Sequence, residues 1–255
     1  MSAFPRDLVA AEGEQYNTYT DERYPLGTEL VLKNGRKYVF AKNGAAAAAP
    51  GKLFQMAAPG AGDDELAVAA AVAIGAKTVI LTVASLTLNQ WAEGYLSVED
   101  DAGEGYAYRI RENSASATGA VTHTFSDGTP VVLANGQAVF QIETGFKVAL
   151  TTSSTVLIVL PAYKSVVIHP SPPTSSLAGV AATTIAASSY GWFQTRGYAA
   201  VLGSGTLVAG DLVVPGATVD GSVMPSAALE TDGPPVGFVV EVAADTEYSL
   251  VDLRL

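Results

Sequence analysis

Apolar and polar residues alternate along this chain in short runs that stop at Gly, Asp, Asn or Pro, the pattern of strands joined by turns. From Glu29 to Phe40 two such runs flank Asn34-Gly35, a dipeptide that favours a type I′ hairpin because both central residues take positive φ. Between Glu65 and Leu88 a run rich in Ala, Val, Ile, Leu and Thr is broken by Gly75-Ala76-Lys77. Thr78 to Val83 predicts a strand, and two strands joined at Gly75 are favoured over a helix from Asp64 to Ile74 capped by Asp63 or Asp64. Five consecutive alanines between Gly44 and Pro50-Gly51 have helical propensity but are too few to nucleate a helix, so they predict a loop packed close to another surface. Trp91 to Ile110, Val131 to Leu160 and the last third from Tyr190 to Leu255 carry further short β-type runs. The expected fold is all-β, sandwich or barrel-like modules with long loops and little helix.

The same pattern suggests an organisation. Residues 1–28 are polar and tyrosine-bearing and read as a loose N-terminal arm, too poor in apolar periodicity to order by itself. Residues 29–169 read as a β-rich domain, 170–176, with Pro170, Pro172 and Pro173, as a linker, and 177–255 as a C-terminal β module.

At 255 residues and 49% hydrophobic content the chain can bury a sizeable core. Only 15% of residues are charged, which suits a surface that meets copies of itself or a partner. Lys+Arg number 14 against Asp+Glu 25, a net charge of −11, so a nucleic-acid backbone would be repelled. There is no cysteine for a disulfide or a thiolate metal site. The start of the chain shows no secretion signal, and the longest apolar stretch, Leu66 to Ile74, is far short of the roughly 20 residues that span a bilayer, so a soluble protein without membrane contact is expected.

Reactive constellations are sparse. No serine stands in a Gly-x-Ser-x-Gly elbow; Gly44 and Gly51-Lys52 miss the phosphate-loop spacing, and Gly203-Ser204-Gly205 lacks its third glycine because Val208 stands there. Of two histidines, His123 is expected on the side of Val121 and Phe125 as a structural residue, and His169, beside Pro170, is expected to face solvent. Asp63-Asp64-Glu65 and Glu99-Asp100-Asp101 with Glu104 lack the calcium-loop pattern and read as solvated turns, with no pair set for glycoside cleavage. Trp91, Tyr95, Tyr106 and Tyr108 are candidates for a sugar-stacking surface, with core packing the commoner use. No catalytic, cofactor or metal residue is assigned. Trp192 and Phe193, adjacent in a strand, must point to opposite faces, so one can fill a core while the other reaches a neighbour; Tyr190 and Tyr198 join them as interface candidates.

Tyr24-Pro25-Leu26-Gly27-Thr28, the Leu32 to Tyr38 hairpin, Gly94 to Val98 with Gly103-Glu104-Gly105-Tyr106, and Tyr190 to Gln194 resemble tailed-phage virion proteins that accompany the major capsid protein. The C-terminal part, with Ala209-Gly210-Asp211, Gly221 and Val236-Gly237, is similar to capsid decoration, or cement, proteins. The resemblance implies a β-rich homotrimer, made in the host cytoplasm, that sits on the outside of the head at capsomer junctions and holds the shell against internal pressure. Proteins of that kind are often shorter. A tail or fibre component and a carbohydrate-binding β domain are the alternatives.

Overall fold

The computed structural model describes residues 7–60, 63–227 and 233–255. Strands form where β-branched and aromatic residues alternate, and the only helical segment among the described residues is a 3-10 turn at Glu14–Tyr16. The chain is all-β, as its pattern predicts. No helix among the described residues is long and apolar enough to cross a membrane.

The chain opens with β1 (Asp7–Ala10), β2 (Glu29–Leu32), β3 (Lys37–Lys42) and β4 (Leu53–Gln55). Then come β5 (Leu66–Ala67), β6 (Thr78–Thr82), β7 (Tyr95–Asp100), β8 (Ala107–Asn113), β9 (Val121–Thr124), β10 (Pro130–Leu133), β11 (Gln137–Ile142) and β12 (Thr155–Val159). It closes with β13 (Val167–Ile168), β14 (Leu177–Ala181), β15 (Tyr190–Leu202), β16 (Leu212–Pro215), β17 (Val223–Pro225), β18 (Gly237–Glu241) and β19 (Tyr248–Arg254).

Two compact units result, and their boundary is not the one the prolines suggest. Residues 1–58 and 162–255 form one unit and 59–161 the other, so the second is inserted within the first. The segment 170–176 lies inside the first unit and separates nothing. Thr174 N–H donates to Gln55 Oε1 at 3.0 Å, and Gln55 Nε2 donates back to Thr174 Oγ1 at 2.8 Å. Local composition marks this stretch as a linker, but a buried glutamine 119 positions away ties it down.

In the inserted unit the sheet runs β5-β12-β7-β8-β11-β6. Val68, just past β5, bridges Leu81 of β6, and Ala69 N–H donates to Ile80 O at 2.8 Å, so the sheet nearly closes into a barrel. Leu81, Leu96, Ile110, Phe140 and Val156 fill its interior. The β9–β10 hairpin forms its own two-stranded sheet, and Phe125 and Leu133 cover Val139 on the outer side of β11. Gly75 takes φ 84° at the break between β5 and β6, where the sequence places a turn.

In the first unit the order is β1-β2-β3-β15-β19-β18-β16-β17. The 13-residue β15 is the spine: its first half pairs β3 and β14, its second half pairs β19. Gly203, past its end, bridges Val223 of β17. Beneath the second half, Val201, Val213, Val239, Val251 and Leu253 form one core.

The segment expected as a loose arm is docked from Asp7 onward; residues 1–6 of it lie outside the described residues. Strand β1 runs parallel to β2, and Tyr19 and Tyr190 exchange backbone bonds at 2.9 and 2.8 Å. The Tyr24 ring lies 5.3 Å from Phe40 and 5.5 Å from Trp192. Scattered side chains, Leu8, Tyr19, Tyr24 and Leu26, rather than a sustained aliphatic period, supply the burial, which is why the pattern does not show it. At the β2–β3 hairpin only Gly35 takes positive φ, 85°; Gly35 N–H donates to Leu32 O at 2.9 Å and Leu32 N–H to Arg36 O at 3.0 Å. The hairpin is as expected, but its loop is the three-residue turn with one left-handed glycine, not type I′.

Candidate functional site

The four candidate interface residues lie on one strand, and only one of them faces out. Trp192 is fully buried with Leu30, Tyr38 and Phe40, its ring 5.1 Å from Phe40. Phe193 is fully buried on the opposite side with Val39, Phe54 and Ile185, 5.2 Å from Phe54. The alternation is as expected, but both faces of this half of β15 are covered by the chain itself, so neither ring reaches a neighbour. Tyr190 stacks on Phe40 at 5.8 Å, with Lys42 Nζ 5.4 Å from its ring. Tyr198, in the second half, is 56% exposed.

His169 does not face solvent: it is fully buried. Its Nδ1 lies 2.8 Å from Pro170 O and its Nε2 2.7 Å from Ser222 O. Both partners are acceptors, so a neutral ring donates to one and an imidazolium to both. Gly221 N–H donates to His169 O at 3.1 Å, so this residue clamps the 170–176 segment to the turn before β17, with both ring nitrogens engaged. His123 is half-buried, edge-on to Phe125 at 4.8 Å.

The acidic clusters serve turns. Asp63 Oδ2 accepts from Gly60 N–H at 2.7 Å, and Glu99 Oε1 accepts from Glu65 N–H at 2.6 Å. Asp101 Oδ2 accepts from Thr151 Oγ1 at 2.7 Å; that bond, and then the Ala102 amide, holds its carboxyl below the usual carboxylate range. Among the described residues no three His, Asp or Glu side chains gather to hold a metal ion. Of the sugar-stacking candidates, Trp91 and Tyr108 are buried. Tyr95 alternates with core Leu96 and faces outward, whereas Tyr106 shares the parity of Tyr108 and stacks on it at 6.3 Å. The two exposed tyrosines therefore lie on opposite sides of the sheet, and no shared stacking platform forms.

Around Tyr198 the outer side of β15, β19 and β18 stays open. Ala199, Val201, Val251, Leu253 and Val239 enter the core, which turns Tyr198, Ala200, Leu250, Asp252 and Phe238 outward. Tyr198 stands opposite Asp252, and Asp252 opposite Phe238. The Arg254 guanidinium lies 5.1 Å from the Phe238 ring centre and donates to Asp252 at 3.1 Å. Tyr248 lies against Gly51, where a Cβ would come within 2.6 Å of its ring. Sequence reasoning misses Phe238 and Tyr248; strict alternation from Val251 to Leu255 was the signal that one side of β19 faces out.

Comparison with known proteins returns no match: no family model, no curated protein and no solved structure is similar to this chain.

Proposed function

We propose that this chain is a non-catalytic structural protein of a tailed-phage virion, a decoration or cement protein that binds the outside of the head on the major capsid protein and stabilises the shell. The observation that carries this reading, beside the resemblance of its turn glycines and aromatics, is the open aromatic face of Tyr198, Phe238 and Tyr248 on a tightly packed β unit. Tyrosine and phenylalanine on an open sheet face suit contact surfaces, since they offer large area with few rotatable bonds. Buried polar groups serve the fold: His169 lies against two carbonyls, and Asn113 bonds the backbone of Thr87, Ser114 and Trp91. An assembly of several copies lets modest contacts act together on a shell lattice.

The test is to add the purified protein to heads that lack it, sediment them and image them in negative stain. Saturable co-sedimentation, added density on the head and slower rupture on heating are expected. Density on the tail alone, or no co-sedimentation, would remove the reading.

A further inference from the structure

We propose that the outer face of β15, β19 and β18 is where a second copy of this chain docks, the arginine end of one face lying over the carboxylate end of the other. This deepens the reading above and rests on its premise that the protein works as an assembly.

The face is polarised along its strands. At one end Arg196 of β15 stands directly opposite Arg254 of β19, with Asp252 offsetting one of the two charges. Six positions separate Arg254 from Tyr248 at the other end of β19, about 20 Å at roughly 3.3 Å per residue. There Glu241 stands opposite Leu250, and Asp245 and Glu247 occupy the turn between β18 and β19. Between the two ends lie Tyr198, Ala200 and Leu250, with Tyr248 at the carboxylate end, an apolar strip whose one charge is Asp252, opposite Tyr198 and bonded to Arg254.

That distribution selects a copy of the chain as the occupant. With a net charge of −11, two copies repel each other in most orientations. Where the contacting face changes sign along its length, opposing the two ends places each positive end on a negative one and turns repulsion into attraction. The aromatic strip then supplies the desolvated centre that a stable contact needs, with Tyr198 as its most exposed anchor. The cation–π contact of Arg254 with Phe238 holds that guanidinium against the face before a partner arrives.

Light scattering of the full chain over the micromolar range tests this with three charge variants: R196E/R254E, E241K/E247K and the chain carrying all four exchanges. Wild type is expected to assemble. Each double variant should raise the dissociation constant on the order of a hundredfold, because like charges then meet at both ends. The fourfold variant should return to within about tenfold of wild type, since the complementarity is restored with its sign inverted. Thermal melting of each variant separates lost assembly from lost fold, and Tyr198→Ala should weaken assembly without moving the melt. Wild type that stays monomeric, or double variants that assemble as it does, would overturn the proposal. Co-sedimentation with heads is scored separately. An assembling protein that ignores heads keeps this interface and loses the head reading, and a monomer that binds heads does the reverse.

Discussion

Trp192 and Phe193 are neighbours in the chain and strangers in the fold, each closing a different core. Replacing either with Ala should destabilise the first unit by about 3–5 kcal/mol, the range for a buried aromatic, as read by urea unfolding. Tyr198→Ala should stay within about 0.5 kcal/mol, because its ring leaves the surface open in a single subunit. His169→Ala removes the ring from between Pro170 O and Ser222 O, one of which accepts from a neutral ring, and a loss of about 1–3 kcal/mol is expected. Unchanged stability in that variant would mean the two bonds do not hold the segment. Tyr38 gives a pH test: burial, opposed by the nearby Arg36 guanidinium, pushes its phenol from the usual 10.0 up to about 12. The unfolded chain therefore gives up this proton first. The contribution of Tyr38 is whole below the unfolded value and is lost as pH rises from about 10 to about 12, which phenolate absorbance recorded beside a denaturation series will follow.

Elements answer to backbone geometry as well as to side chains. Gly35 holds φ 85° with open space around it, so Gly35→Ala should cost only about 1 kcal/mol of backbone strain in the β2–β3 hairpin. Gly237 is the opposite case. It needs no unusual φ, yet a Cβ there would collide with Asp252 O across the β18–β19 ladder, so Gly237→Ala should cost more than the hairpin change. The docked N-terminal segment gives a measurement too: the Tyr19 amide, bonded to Tyr190 O, should exchange with solvent as slowly as amides of the neighbouring sheet. Fast exchange would restore the loose-arm expectation. That expectation followed from counting aliphatic periodicity, which Tyr19 and Tyr24 do not enter although both pack on Phe40.

At the scale of the molecule, the insertion of residues 59–161 is the feature that local composition hid. Ile158 N–H donates to Asp63 O at 2.7 Å, so the inserted unit begins and ends side by side, and Gln55 pairs Val167 where the first unit resumes. A chain with 59–161 replaced by a short Gly/Ser linker is expected to retain the β spectrum and one cooperative melt of the first unit; loss of that transition would show that the insertion is needed for folding. Charge divides unevenly as well, with eleven acidic and four basic residues in 59–161 against fourteen and ten in the remainder. The less acidic unit is the one that carries the open aromatic face, where association meets less repulsion.

Alternation and turn residues determined by themselves the all-β class, the hairpin at Asn34-Gly35, the turn at Gly75 and the opposite facing of Trp192 and Phe193, because a strand's two-residue period is a local property. Which side of each strand is covered is not local. The first half of β15 is closed on both faces by other segments, on the Trp192 side by Leu30, Tyr38 and Phe40 from more than a hundred residues away and on the Phe193 side by Phe54 and Ile185, and only the second half leaves Tyr198 open. In the same way the proline-rich 170–176 stretch has every local mark of a linker, and its fate was decided by Gln55, His169 and the Ser222 carbonyl meeting in space. Period specifies the direction of a side chain, and only the packed chain decides what stands in that direction.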